Sequence, residues 1–225
     1  MNYFERTRVK EALNADEAKD DIIVLGWVRT KRVSKNVAFI EINDGSTLDN
    51  LQLVLDPNEF GDQLEEINTG TSIKIVGNLV ESRGKQSWEV QVSSLEIVGD
   101  CPQDYPLQKK RHSFEFLREI AHLRARTNTF GVVNRFRSKM SHAIHTFFQD
   151  RDFYYIHTPL ITSSDAEGAG ELFQVTTLDL DNLPMKDNGK IDYSQDFFGI
   201  ETGLTVSGQL EAELLATSIG DVYTF

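Results

Sequence analysis

Five short segments in which apolar and polar residues alternate, with one helical stretch among them, fill most of residues 16–100. The alternation has the two-residue period of a half-buried β-strand, and turn dipeptides such as Asp44-Gly45 separate the segments. Strands are predicted at residues 22–28, 37–43, 51–55, 73–80 and 88–98, and the helix at residues 57–68. Three strands, a helix and two strands are the element order of the five-stranded Greek-key barrel called the OB-fold. We therefore predict an all-β OB-fold barrel.

The last of these strands contains an irregularity. Its apolar positions run Trp88, Val90 and Val92 and then move out of phase to Leu95 and Ile97. One extra residue in a strand shifts the alternation in this way, and small barrels use such bulges to turn a corner. A β-bulge is therefore predicted between Val92 and Leu95.

The second and third strands place an aromatic ring and an amide on the predicted outer face of the barrel. The alternate positions are apolar and are expected in the core: Ala38, Ile40, Ile42, Leu51, Leu53 and Leu55. Because side chains alternate along a strand, Phe39 and Gln52 then point outward. An exposed ring that stacks on a base, beside an amide that recognises a base edge, is typical of single-stranded nucleic-acid binding. The alternative is that Phe39 packs beneath a loop or against another domain.

Charge is distributed unevenly along the chain. The formal net charge of −12 argues against a nucleic-acid binder that works through its overall field. Residues 1–100 have a net charge of −7, residues 101–151 of +6 and residues 152–225 of −11. However, Arg29, Lys31, Arg32 and Lys35 form a basic stripe with no acidic residue between positions 22 and 40. Because salt screens the electric field of each charge beyond about 10 Å, this stripe can hold RNA even on an acidic domain. Arg29 and Arg32 are the candidate RNA-binding residues. The alternative is a solvated strand end.

The rest of the chain indicates a linker and a second domain. Prolines and the run Lys109-Lys110-Arg111-His112 interrupt the periodicity after residue 100, and residues 130–149 have the period of an amphipathic helix. We expect domains at residues 1–100 and 126–225, with a linker at 101–125. His142 and His145 have no acid or cysteine at metal-ligand spacing, so they are interpreted as structural, and no metal site is predicted.

Composition limits the expected environment of the protein. The single cysteine, Cys101, cannot form an internal disulfide, which favours a reducing, cytoplasmic compartment. No apolar run approaches the roughly 20 residues that cross a bilayer, and the polar N-terminal residues do not form the apolar region of a signal peptide. We therefore expect no membrane partner.

Long recognisable strings occupy the last third of the chain. The stretches DFYYIHTPLITSSDAEGAGELFQVTTLDLDNLP (152–184) and FFGIETGLTVSGQLEAELLATSIGDVYTF (197–225), together with GWVRTKRVSKNVAFIEINDGS (26–46), closely resemble the bacterial-type asparagine–tRNA ligases. The EGAGELF and TVSGQLEAE strings are far more specific than a short motif. The resemblance implies an anticodon-binding OB-fold followed by the first part of an α+β class II synthetase catalytic domain, an antiparallel sheet with helices.

The resemblance also implies roles for residues of the barrel and of the long helix. Arg32, Phe39 and Gln52 match the positions with which this family holds the anticodon, with Phe39 stacking on the central uridine. Residues 130–159 resemble the first class II motif, which lies at a homodimer interface with Pro159 near the two-fold axis. The implied partners are therefore tRNA(Asn), which the barrel would bind, and, for the full-length enzyme, a second subunit at the first class II motif.

An amino-acid site is implied in the second domain. Glu167 belongs to SSDAEGAGELF, which resembles a mobile flap, and it would hold the α-ammonium of the substrate together with Ser207 and Gln209. A carboxylate, a hydroxyl and an amide oxygen are the acceptors that an ammonium needs. The alternative for each acid is a solvated surface carboxylate.

One position separates the asparagine branch from the aspartate branch of the family. The aspartate branch carries a lysine three residues after the equivalent of Gln209, where this chain has Ala212 followed by Glu213. A carboxylate there would repel the second charge of aspartate and accept an N–H of the asparagine amide. Our hypothesis is that Glu213 selects asparagine; an enzyme that also charges aspartate is the less favoured alternative.

The second class II motif of the family begins near Tyr223-Thr224-Phe225, and its ATP-binding arginine and magnesium-holding acids are expected beyond residue 225. The resemblance therefore implies a full-length ligase that charges tRNA(Asn) with asparagine through an asparaginyl-adenylate, using ATP and Mg²⁺. The 225-residue chain is expected to be an inactive fragment of it. A stand-alone RNA-binding module or a naturally short paralogue is the alternative. For residues 178–196, which resemble an insertion, the sequence offers no physical account.

Overall fold

A closed five-stranded barrel forms the first part of the computed structural model, which describes residues 5–84, 86–164 and 172–225. Its elements are α1 (Val9–Leu13), β1 (Lys19–Val33), β2 (Ala38–Asn43), β3 (Leu51–Leu55), α2 (Pro57–Glu66), β4 (Ser72–Glu81) and β5 (Trp88–Gly99). The strands are ordered β1-β2-β3-β5-β4, and β1 pairs with β4 to close the barrel. Strands β3 and β5 run parallel, and the other pairs are antiparallel. This confirms the predicted OB-fold.

Aliphatic side chains fill the barrel. The residues predicted to face inward on the second and third strands are all buried, and they pack with residues of the other three strands: Ala38, Ile40, Ile42, Leu51, Leu53, Leu55, Val24, Ile75 and Val90. The predicted bulge is also present, because Val76 pairs with Ser94 and Gly77 with Val92, which leaves Ser93 as the extra residue. Strand β1 also has a bulge between Val28 and Thr30, which was not predicted from the sequence.

The segment after the barrel is more ordered than a plain linker. It contains α3 (Phe114–Glu119) and a 3₁₀ turn (Arg124–Arg126) before α4 (Asn128–Gln149), the predicted long helix. The chain divides into two compact units, Met1–Phe136 and Arg137–Phe225, and the division falls within α4. The domain limits at residues 100 and 126 stay a prediction. The apolar stripe of α4 is exposed at Val133, Phe136, Met140 and Phe147.

The second unit contains short strands and one further helix. Its elements are β6 (Tyr154–Tyr155), β7 (Ile161–Thr162), β8 (Gln174–Val175), β9 (Thr202–Leu204), α5 (Gln209–Ile219) and β10 (Val222–Tyr223). Strands β7, β9 and β8 form an antiparallel sheet, as predicted, whereas β6 and β10 pair in parallel. Helices and a mixed set of sheets confirm the α+β class of this part of the chain.

A buried carboxylate lies at the end of the segment 178–196. Asp196 accepts hydrogen bonds from the hydroxyls of Thr176 and Thr177, and also from the backbone N–H groups of Thr177 and Phe197. These bonds, led by the one from Thr176, hold the pKa of Asp196 far below its ordinary value. The two ends of this segment are therefore tied together beside β8. Among the described helices, none is long and apolar enough to cross a membrane.

Candidate nucleic-acid interface and ligand pocket

An aromatic ring and a guanidinium lie side by side on the outer face of the barrel. Phe39 follows Ala38 and precedes Ile40, which are both fully buried, so alternation turns its ring outward, where it is partly exposed. Cross-strand pairing sets Arg32 of β1 opposite Phe39, and the Arg32 guanidinium carbon lies 5.7 Å from the ring centroid. The arrangement offers a flat apolar surface beside a cation, which are the two groups that hold a base and its phosphate.

The amide of Gln52 has a defined orientation. Gln52 lies between Glu41 of β2 and Glu89 of β5 in the strand pairing. Its Nε2 donates to Oε2 of Glu89 at 2.8 Å, and the hydroxyl of Ser82 donates to the same oxygen at 2.7 Å. No donor within the described ranges reaches Oε1 of Gln52, so this carbonyl oxygen is the group presented to a ligand. Glu89 was not predicted from the sequence; its outward position in the strand that pairs with Gln52 was the available signal.

The predicted basic stripe is divided in the structure. Lys31 pairs with Ile40 on the inner side, and its Nζ donates to the carbonyl of Leu64 at 2.5 Å, near the end of α2. Burial lowers the pKa of Lys31. Arg29 is the extra residue of the β1 bulge, and its Nη1 donates to the carbonyl of Arg126 at 3.0 Å. Lys31 therefore does not lie beside Arg32 on the outer face, and Arg29 has a structural partner.

A cleft of about 1000 Å³ opens beside this face within the first unit. Arg29, Thr30 and Glu41 form one wall, and the run Lys109-Lys110-Arg111-His112 with Arg126 forms the other. The cations predicted to belong to a linker thus lie next to the outer face of the barrel. Their number exceeds that of the two carboxylates of the cleft, Glu41 and Glu115, which makes it attractive to a polyanion.

In the second unit a hydrogen-bond chain joins three of the predicted amino-acid ligands. The hydroxyl of Ser207 accepts from the backbone N–H of Gln209 at 3.1 Å. Nε2 of Gln209 donates to Oε1 of Glu213 at 2.7 Å, one turn further along α5. Ala212 lies on the same helix. Oε1 of Gln209 therefore remains to accept from a ligand such as an ammonium, as far as the described residues show.

Ser207 also lines a pocket of about 320 Å³ with Thr158, Gly208 and Phe225. A Cβ on Gly208 would lie 2.5 Å from Oγ1 of Thr158, so only glycine allows this close approach of the turn to residue 158. His145 supports the pocket wall: its Nδ1 lies 2.7 Å from the hydroxyl of Tyr223, and its ring meets Phe225 edge-on. His145 is thus a packed histidine.

The remaining predicted site residues are Glu167 and Pro159. Glu167 lies outside the described residues, so its position relative to Ser207 and Gln209 stays a prediction. Pro159 is exposed between β6 and β7, and its role at a dimer interface is likewise a prediction. Among the described residues no group of three or more His, Cys, Asp and Glu side chains could hold a metal ion.

Two protein families match the chain. The family described as OB-fold nucleic acid binding domain covers residues 22–98, and tRNA synthetases class II (D, K and N) covers residues 113–225. The chain belongs to the class II tRNA synthetases. The barrel, its outward aromatic ring and the α+β unit are thus parts of a synthetase chain. This confirms the family that the sequence segments predicted.

The relatives of this synthetase chain include asparagine–tRNA ligases. One from Parabacteroides distasonis is 55% identical over 228 residues, which cover 100% of this chain and 49% of that protein. One from Clostridium tetani is 57% identical over 207 residues, which cover 91% and 45%. The chain therefore spans about half the length of the curated relatives it matches, as expected from the family motifs.

A solved structure agrees with the fold. The crystal structure of asparaginyl-tRNA synthetase from Pyrococcus horikoshii complexed with asparaginyl-adenylate matches with a TM-score of 0.75 at 18% identity. The match covers 98% of this chain and 47% of that one. At this identity the likeness establishes the architecture of the synthetase chain and does not extend to its ligands.

Proposed function

We propose that this chain supplies the anticodon-binding domain and part of the amino-acid site of an asparagine–tRNA ligase. The whole ligase would charge tRNA(Asn) with asparagine through an asparaginyl-adenylate made from ATP. The observation that carries the proposal is the outer barrel face, where Phe39 and Arg32 lie next to the oriented amide of Gln52. The family match and the asparagine–tRNA ligases at 55–57% identity support it.

The face matches the chemistry of a uridine in a single-stranded loop. The Phe39 ring can stack on the base, and Arg32 can reach its phosphate. Because Glu89 takes the N–H group of Gln52, the amide presents its oxygen, which accepts from the N3–H of uridine but meets the acceptor N3 of cytidine. Gln52 would therefore discriminate uridine from cytidine at the position stacked on Phe39.

The second unit would contribute acceptors for the amino acid. The Ser207 hydroxyl and the Gln209 carbonyl oxygen would bind the α-ammonium with Glu167, and Glu213 would favour the neutral amide of asparagine. The described part of residues 152–225 does not fit an ATP–Mg²⁺ site, since residues 152–225 contain only Lys186 and Lys190 as cations and Lys186 lies 3.8 Å from Asp192. ATP and Mg²⁺ are proposed for the whole ligase only.

The same proposal includes the setting of the ligase. A cytoplasmic enzyme is supported by the single cysteine, Cys101, which is free. A homodimer is supported by the exposed apolar stripe of α4, which includes Phe136 and Met140 and which resembles the dimer-forming motif of the family.

Binding of an anticodon stem–loop tests the proposal on the 225-residue chain itself. A fluorescently labelled stem–loop of tRNA(Asn) is titrated with the chain, beside the same RNA with the central uridine replaced by cytidine. We expect the uridine RNA to bind about 5-fold more tightly, as one oriented hydrogen bond permits. Gln52→Ala should remove the preference, whereas Gln103→Ala, an exposed glutamine elsewhere, should keep it. Equal binding of both RNAs by the wild-type chain would overturn the proposal for Gln52.

A further inference from the structure

Arg135, on the first turns of α4, reaches back to the barrel. Its Nη2 donates to the carbonyl of Gly45 at 2.6 Å and to that of Thr47 at 3.4 Å, while its Nη1 donates to the carbonyl of Gly131 on its own helix at 3.1 Å. All four residues belong to the first compact unit, Met1–Phe136. The guanidinium thus bridges α4 and the turn at residues 44–50, which connects β2 to β3.

That turn joins the two strands that carry Phe39 and Gln52. Inside the turn, Nδ2 of Asn43 donates to the carbonyls of Thr47 at 3.2 Å and Asp49 at 2.9 Å, and Oδ1 of Asn43 accepts from the N–H of Gly45 at 2.8 Å. Asn43 is buried, so these bonds specify one conformation of the turn. Arg135 therefore binds the outside of a turn that Asn43 organises from within.

The contacts continue from the turn to the RNA-binding face. Asn43 Nδ2 also lies 3.3 Å from Oδ1 of Asn50, whose carbonyl accepts from Gln86 Nε2 at 2.7 Å. Gln86 Oε1 in turn accepts from the backbone N–H of Gln52 at 3.3 Å. A continuous set of hydrogen bonds therefore connects the Arg135 guanidinium to the backbone of Gln52.

The packing around Arg135 is close. A Cβ on Gly131 would lie 3.1 Å from Nη1 of Arg135 and 3.4 Å from Cδ2 of Leu48, so a glycine at this point of α4 lets the helix approach the turn. The forked guanidinium satisfies three carbonyls on two elements at once, which the single ammonium of lysine does not reproduce. The contact is specific to arginine.

We propose that Arg135 is a positioning residue for RNA recognition: it fixes the β2–β3 turn and thereby the placement of Gln52 on the RNA-binding face. Arg135 itself does not touch the RNA. The inference rests on the proposed anticodon-binding function of the barrel. It differs from that function in assigning part of the selectivity to a residue on α4.

The test uses the 225-residue chain and the labelled anticodon stem–loop. Arg135→Gln should weaken binding about 3- to 10-fold, the range seen for residues that act on a ligand without contacting it. Arg135→Lys keeps the charge and should weaken binding by a similar factor. The matched control is Arg118→Gln, since Arg118 is exposed and its ion-pair partner Glu115 is 4.0 Å away. Thermal unfolding identifies any variant that fails to fold, and Arg135→Lys remains measurable if Arg135→Gln does not.

Two further measurements distinguish a positioning role for Arg135 from direct contact with the RNA and from an effect unrelated to Gln52. The slope of log Kd against log salt should be unchanged in Arg135→Gln; a slope reduced by about 0.7 would show direct phosphate contact and overturn the proposal. In the double variant with Gln52→Ala, the loss should be smaller than the product of the two single losses, because both act through one side chain. Losses that multiply, or an unchanged affinity, would also overturn it. If Phe39→Ala leaves binding unchanged as well, the anticodon-binding function itself fails, which is a different result.

Discussion

Neighbouring residues Phe39 and Ile40 point to opposite sides of β2, so replacing each by alanine should affect different properties. Ile40 is completely buried in the barrel, and removal of its side chain should cost about 2–5 kcal/mol of unfolding free energy. For a domain of this size that corresponds to a decrease in Tm of about 10 °C or more. Phe39 is only half-buried, and the ring contact with Arg32 at 5.7 Å that Phe39→Ala removes is worth about 0.5–1 kcal/mol.

For RNA affinity the order of the two variants is reversed, because Phe39→Ala should have the larger effect. Stacking of one base on an aromatic ring is worth about 1–3 kcal/mol, so Phe39→Ala should weaken stem–loop binding by about 5- to 150-fold. The folded fraction of Ile40→Ala, measured well below its Tm, should bind like the wild type. Phe197→Ala, which removes a strongly exposed ring from the second unit, is the matched control and should change neither property. A large stability loss in Phe39→Ala with unaltered RNA affinity would show that the ring is a core residue and that the face assignment is wrong.

Three predictions concern the second unit. In a full-length ligase, Glu213→Gln should relax discrimination against aspartate in pyrophosphate exchange; unchanged selectivity would contradict the assignment. Hydrogen bonds depress the pKa of Asp196, so the stability that its carboxylate contributes is present above the ordinary aspartate pKa and is lost as pH falls below it. The unfolding midpoint of the wild-type chain should therefore decrease between about pH 5 and about pH 2, and Asp196→Asn should make this decrease smaller. Gly208→Ala should cost about 1–3 kcal/mol in denaturant unfolding because its Cβ meets Thr158, whereas Gly61→Ala, with open space around it, should be neutral or stabilising.

The barrel was predictable because its determinants are local. A two-residue alternation assigns each side chain of β2 and β3 to a face, and the phase shift after Val92 marks the bulge at Ser93. The outward positions of Phe39 and Gln52 follow from the burial of their neighbours alone. These features need only the order of residues along a strand.

Other features depend on contacts between distant parts of the chain, and the sequence did not reveal them. The basic stripe was divided because an unpredicted bulge redirects Arg29, while alternation turns Lys31 towards the end of α2. The orientation of the Gln52 amide depends on Glu89, 37 positions later. Arg135 donates to the backbone carbonyls of two residues that lie 90 and 88 positions away. Because every residue type has a backbone carbonyl, the side chains at those positions do not predict this contact. The short helix α3 was missed because prolines and cations interrupt the periodicity just before it.

The composition of the barrel face bears on how an acidic chain would select RNA in the proposed function. On the Gln52 row the neighbouring side chains are the carboxylates Glu41 and Glu89, and on the Phe39 row the neighbouring cation is Arg32. In the proposed function the carboxylates beside the amide would repel phosphate, whereas Arg32 and the cations of the neighbouring cleft would attract it. The RNA backbone would therefore avoid the Gln52 row, and the base would lie over the ring towards Gln52. Charge would therefore set the direction of approach, while stacking and the oriented carbonyl oxygen would supply the preference for one base. A more basic face would bind RNA more tightly but would lose this constraint on how the strand lies.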